Sequence, residues 1–154
     1  MMTPLEVAQG MANFLKERLA EYEERGGKEF HVYAGFLPRA RRVEELEKLC
    51  PAIVIRPEVT TDEAKQSTVS LVLYATVYDP DFKEGCQSLF HLLEFIRAHL
   101  LMGNPVAGKF WIQPGMKSIV PDEQPYPQWL GVVECEVVIP QVRQNNPPIG
   151  WWTL

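Results

Sequence analysis

The stretch from Asp79 to Leu100 constrains the fold of this chain more than any other. Phe82, Cys86, Leu89, Leu93, Ile96 and Leu100 recur at spacings of four, three, four, three and four, which places them on one face of an amphipathic helix. Asp79 stands where a cap is needed, Pro80 in the first turn, and Asp81 near the positive end of the helix dipole. GNPVAG, from Gly103, stops the run. Burying a large apolar side chain is worth ~1.5–3 kcal/mol, so such a face has to dock onto another layer.

The sequence supplies that layer as strands. From Ser67 to Asp79, Val69, Leu71, Leu73, Ala75 and Val77 alternate onto one wholly apolar face, and Thr68, Ser70, Val72, Tyr74, Thr76 and Tyr78 onto a mixed one. From Leu130 to Ile139, Val133, Cys135, Val137 and Ile139 share a side, opposite Leu130, Val132, Glu134, Glu136 and Val138. PAIVIRP reads as a buried strand between Pro51 and Pro57, EFHVYAGFLP as a short strand or arm, and Lys109 to Val120 as an extended segment broken at QPG. The polar EVTTDEAKQ reads as a flexible loop.

A second helix opens the chain. Thr3, Pro4 and Glu6 form a start signal, followed by Ala8, Met11, Ala12, Leu15, Leu19 and Tyr22 at helical spacing, and Gly26 and Gly27 close it. RARRVEELEKLC suits a short surface helix or a long connection. The expectation is an α+β fold: a mainly antiparallel sheet of four or five strands with two main helices packed on it, a two-layer sandwich. Residues 1–142 form a single domain in this reading. Residues 143–154, which have no periodicity, form a C-terminal arm containing Trp151 and Trp152.

A chain of 154 residues, 46% of them hydrophobic, is long enough for one core without staples. Cys50, Cys86 and Cys135 are odd in number and each lies in or beside an apolar segment, so they read as buried free thiols suited to a reducing compartment. The opening MMTPLEVAQGMANFLKERL lacks a basic leader before an apolar core, and no segment has the roughly 18 apolar residues of a membrane span. Synthesis in the cytoplasm is expected, with no membrane partner. The net charge of −5 argues against general nucleic-acid binding, which needs a basic face.

Catalytic signals are weak. His91 and His99 stand eight positions apart on the long helix and lack cysteine or carboxylate partners at metal-ligand spacing. Ser88 or Cys86 with His91 offers a nucleophile and a base on paper, yet Cys86 lies on the apolar stripe, where a structural thiol is the simpler reading. Asp62, Glu63, Asp79, Asp81, Asp122 and Glu123 sit in loops and caps, where solvation and capping account for them. There is no G-x-S-x-G elbow, no phosphate loop and no G-x-G-x-x-G. No catalytic residue, metal site or cofactor is assigned, and the chain is read as a non-enzyme.

Two features point to contacts instead. PRARR brings Arg39, Arg41 and Arg42 together, balanced by the following EELEK or free to meet an acidic neighbour or passing DNA. In DEQPYPQW, prolines limit the backbone entropy around Tyr126 and Trp129. Rings held in fixed positions are common anchors of protein interfaces, although both could equally cover their own core edge.

CPAIVIRPEVTTDE, STVSLVLYATVYDPDFKEGCQSLFHLLEFIRAHLL, FWIQPGMKSIVPDEQPYPQWLG and the closing IVPDEQPYPQWLGVVECEVVIP together resemble small phage and prophage tail proteins of the tail-terminator, or tail-completion, kind, over roughly Pro51 to Pro140. The resemblance implies an α/β fold and a hexameric ring on the head-proximal end of the tail tube, which stops polymerisation and offers a surface for head joining. It further implies the tail tube protein and a head-completion or connector protein as partners, a place in the virion tail, and DNA only as a passing contact in the ring lumen. A head–tail joining or minor tail protein is the neighbouring alternative. A small enzyme using Cys86 or a carboxylate cluster is the alternative from another class.

Overall fold

Three helices and five strands emerge in the computed structural model, which describes residues 2–24 and 29–142. Helix α1 (Pro4–Glu24) begins as its sequence dictates, the Thr3 hydroxyl oxygen accepting from the amide of Glu6 at 3.1 Å. Its apolar stripe buries Val7 and Phe14 in addition to Ala8, Met11, Ala12, Leu15 and Leu19.

Strand β1 (His31–Ala34) runs parallel to β2 (Ala52–Asp62), with His31 opposite Ala52 and Ala34 opposite Ile55. The sheet is therefore mixed. Parallel neighbours need a crossover of about a dozen residues or more, and the segment from Gly35 to Pro51 supplies it, carrying a short helix, α2 (Val43–Leu49), that buries no residue. A third helix thus joins the two expected from periodicity.

β2 is also longer than its apolar run. EVTTDEAKQ is not a loop throughout: Val59 to Asp62 continue β2 past a register shift between Pro57 and Val59 and pair with Ser67 to Ser70 of β3 (Ser67–Tyr78). Only Glu63 to Gln66 turn, closed by the Glu63 amide on the Gln66 carbonyl at 2.9 Å and by the Ser67 hydroxyl donating to Asp62 at 2.6 Å. Backbone pairing in a hairpin does not require apolar side chains, which explains why hydropathy ended this strand too early.

β3 and β5 (Gln128–Ile139) pair antiparallel along their whole length, from Ser67 opposite Ile139 to Tyr78 opposite Gln128. β4 (Lys117–Ile119) covers part of the outer edge of β5, and Ile112 bridges to Val137 farther along it. Strand pairing across Lys109 to Val120 is limited to these contacts and a Val106–Phe110 bridge. The sheet order is β1-β2-β3-β5-β4.

α3 (Phe82–Met102) lies on β3 and β5, and α1 lies on β1 and β2. Val69, Leu71, Leu73, Ala75, Val77, Val133, Cys135, Val137 and Ile139 are all buried in one core with these helices, as the strand alternation requires. Two details of α3 differ from expectation. The cap is Asp81, whose carboxylate accepts from the Glu84 amide at 2.9 Å, while Asp79 accepts one step earlier from the Asp81 amide at 2.8 Å. Phe82 does not join the core: it is 71% exposed, and Leu92 is buried alongside Leu89, Leu93, Ile96 and Leu100.

Candidate functional site

Where β3 ends and β5 begins, the Gln124 side chain latches the Pro-rich segment. The Gln124 amide nitrogen donates to the carbonyls of Pro121 and Leu130 at 2.8 and 2.9 Å, and its oxygen accepts from the Leu130 amide at 2.6 Å. The Asp79 amide donates to the Pro127 carbonyl at 2.9 Å, tying the segment to the start of the α3 region. Prolines narrow the available backbone, and these bonds select one shape within it.

That shape presents an aromatic cluster. Trp129 is the first buried position of β5, 5% exposed, and its indole N–H donates to the Asp79 carbonyl at 3.1 Å. The Tyr126 hydroxyl donates to the Pro80 carbonyl at 2.5 Å. Phe82 stands edge-on to Trp129, centroids 4.9 Å apart at 79°, and Tyr126 meets the same indole at 6.1 Å and 90°. Phe82 and Tyr126 are 71% and 54% exposed, so two rings face outward over a third that belongs to the core. Edge-to-face pairs of this kind are favourable beyond the area they bury.

The sequence named Tyr126 and Trp129 as a pair of contact residues; their places differ. Tyr126 is at the surface, whereas Trp129 supports the patch from beneath. Phe82, missed as a surface residue, completes it. Gly85 is the second missed member, because a Cβ there would overlap the Trp129 indole. An isolated glycine inside a helical pattern was the available signal.

Arg39, Arg41 and Arg42 are exposed on the β1–β2 crossover, away from the β5 end of the cluster in the order of strands. The Arg41 amide donates to Glu45 at 2.7 Å, and none of the three guanidinium groups forms an ion pair among the described residues. Trp151 and Trp152, with the rest of the arm, lie outside the described residues.

The uncovered face of the sheet holds a further ordered group that sequence reasoning did not single out. The Arg56 guanidinium is sandwiched between Phe36, 4.1 Å from its ring centre, and Tyr74, at 4.8 Å, while its Nε–H donates to the Gly35 carbonyl at 2.9 Å. The Tyr74 hydroxyl donates to Glu58 at 2.5 Å, and that carboxylate raises the Tyr74 pKa, with burial adding to it.

A cavity of about 260 Å³ opens between α1, α3 and the sheet, walled by Leu19, Val77, Leu92 and Phe95, with Ser88 and His91 on its α3 side. No hydrogen bond joins Ser88 to His91 among the described residues. Cys86, the thiol considered for an enzyme, does not line this cavity; it is half-buried. Cys50 and Cys135 are buried, and burial pushes the Cys135 thiol up to about 12. Among the described residues there is no group of three His, Cys, Asp or Glu side chains that could hold a metal ion, and no helix long and apolar enough to cross a membrane.

A scan against protein-family models finds no match to the chain, and no curated protein matches it.

Proposed function

We propose that this chain is a structural phage tail protein, a tail terminator whose copies close into a ring on the head-proximal end of the tail tube, stop its polymerisation and prepare head joining. The observation that carries the reading is the aromatic cluster. Phe82 and Tyr126 are exposed, Phe82 packed edge-on to the buried Trp129 and Tyr126 bonded to the Pro80 carbonyl, while the Gln124 side chain holds the segment that carries Tyr126. Contact anchors are effective when their rings are immobilised before binding, because less ordering remains to be done on association. The kind of assembly named in this reading is the one implied by the sequence resemblance of Pro51 to Pro140 to tail-completion proteins.

The partners in this reading are further copies of the chain, the tail tube protein and a connector protein. Mixing purified chain with tail tubes that lack a terminator tests it: the chain should bind at one tube end and halt elongation. Binding to the connector and not to the tube end would select a head–tail joining role instead. A chain that binds neither and stays monomeric contradicts both.

A further inference from the structure

We propose that the outer face of the sheet at Glu134 and Glu136 receives Arg39, Arg41 and Arg42 of a second copy of this chain. The inference deepens the ring reading by naming a contact between neighbouring copies, and it rests on that reading only in requiring that copies associate.

Strand alternation builds the receiving face. Val133, Cys135 and Val137 point into the core shared with α1 and α3, so Glu134 and Glu136 point to the opposite side of the sheet. The β1–β2 crossover reaches that side at Thr76, whose hydroxyl meets the Cys50 thiol at 3.9 Å. Glu134 and Glu136 lie opposite Val72 and Ser70, four and six residues from Thr76 along β3, and both are exposed. With Glu58, Ser70, Val72 and Lys117 they line a groove of about 440 Å³, walled by the QPG segment. Its carboxylates differ in what they already hold. Glu58 accepts from the Tyr74 hydroxyl and lies 3.8 Å from Arg56. Among the described residues, Glu136 has only a long bond from the Ser70 hydroxyl, 3.4 Å, and neither it nor Glu134 forms an ion pair, although Lys117 stands opposite Glu134 on β4.

Charge identifies the occupant. Arg39, Arg41 and Arg42 are exposed, and none of their guanidinium groups pairs with a carboxylate among the described residues, even though Glu44, Glu45 and Glu47 follow in α2. Guanidinium groups lacking carboxylates and carboxylates lacking cations are complementary, and the forked guanidinium matches a carboxylate with two parallel bonds. An apolar contact fits the same docking: Val43, beside Arg42, is 59% exposed, and Val72 forms part of the groove. The arginines follow β1, at one edge of the sheet, while the carboxylates stand on β5 beside the other edge, with β2 and β3 between. Two different patches that complement each other define a heterologous contact, the type that closes into a ring when the rotation between copies permits. Copies of net charge −5 repel overall, so a local match of opposite sign selects the orientation in which they meet.

Charge exchange tests the contact, with two full-length variants checked for native circular dichroism: Arg39→Glu/Arg41→Glu/Arg42→Glu and Glu134→Lys/Glu136→Lys. In light scattering across a concentration series, each variant alone should need a roughly tenfold or higher concentration than the unchanged chain to form large species, because like charges then face each other. An equal mixture should associate near the unchanged concentration, since each altered patch meets its opposite on the other variant. Rescue on mixing supports the contact and rules out misfolding as the cause of the loss. Loss without rescue overturns the proposal. Association of either variant alone at the unchanged concentration also overturns it, while leaving a ring through other surfaces standing. If the arginine variant keeps its association and loses binding to a duplex DNA oligonucleotide in a gel shift, the arginines serve DNA and the proposal falls. An unchanged chain that stays monomeric at every concentration, with or without tail tubes, overturns the contact and the ring reading together.

Discussion

Phe82 meets Trp129 edge-on, 4.9 Å between ring centres and 79° between ring planes, although one ring is 71% exposed and the other 5%. An exposed residue and a core residue are thus joined in one geometry, and their substitutions should separate. Trp129→Ala removes a buried aromatic and its bond to the Asp79 carbonyl, so a loss of about 3–5 kcal/mol is expected by urea denaturation. A loss below about 1 kcal/mol would place the indole outside the core.

Phe82→Ala takes away an exposed ring and one aromatic pair. Stability should fall by only about 0.5–1.5 kcal/mol, whereas self-association should weaken at least tenfold. Equal loss of both would mean that Phe82 acts through the fold, not through contact.

Much of the architecture could be read from the chain, and the exceptions have physical causes. Alternation in β3 and β5 and the repeat of Leu89, Leu93, Ile96 and Leu100 identified the core correctly, since side-chain direction follows directly from backbone period. Period gives direction around a helix but not what lies beneath it. Trp129 already occupies the space beside Gly85, so the first turn of α3 rests on the indole and Phe82 stays outside. β1 and β2 are parallel because a crossover joins them, a matter of topology that hydropathy does not encode. Tyr126 stands out in the sequence as an aromatic among prolines, and it is exposed; the Gln124 latch that holds its segment depends on bonds to Pro121 and Leu130 that only the folded chain brings together.

Gly85→Ala tests the seat of the indole. The usual benefit of alanine over glycine inside a helix, about 1 kcal/mol, should be reversed by collision of the new Cβ with Trp129. Net destabilisation, together with a changed tryptophan fluorescence spectrum, is the expected result. A more stable chain with unchanged fluorescence would show that the indole moves aside freely.

Gln124→Ala leaves the partly buried Leu130 amide without its side-chain acceptor. A cost of about 1–3 kcal/mol is expected, with faster hydrogen exchange at Leu130. Association should weaken as well, because Tyr126 loses its fixed position.

Alkaline pH offers a test of the core beneath β5. Burial, with Glu136 adding to it, raises the Cys135 thiol from 9.0 to about 12, and burial also raises Cys50. The folded chain then holds these protons more tightly than the unfolded chain. Their contribution to stability is complete below about pH 9 and is lost as the pH rises through the range up to about 12. Urea midpoints should decline over that range, and Cys135→Ala should make the decline shallower. An equally steep decline in Cys135→Ala would assign it to other groups.

The measurement that bears most directly on the ring is the mass of the full-length chain by light scattering across a concentration series, with negative-stain imaging of the largest species. Copies that close head to tail give a discrete plateau mass, six chains if the resemblance extends to ring size, and annular particles in the images. A mass of one chain of 17.6 kDa at every concentration, with no annular particles even in the presence of tail tubes, would contradict the ring.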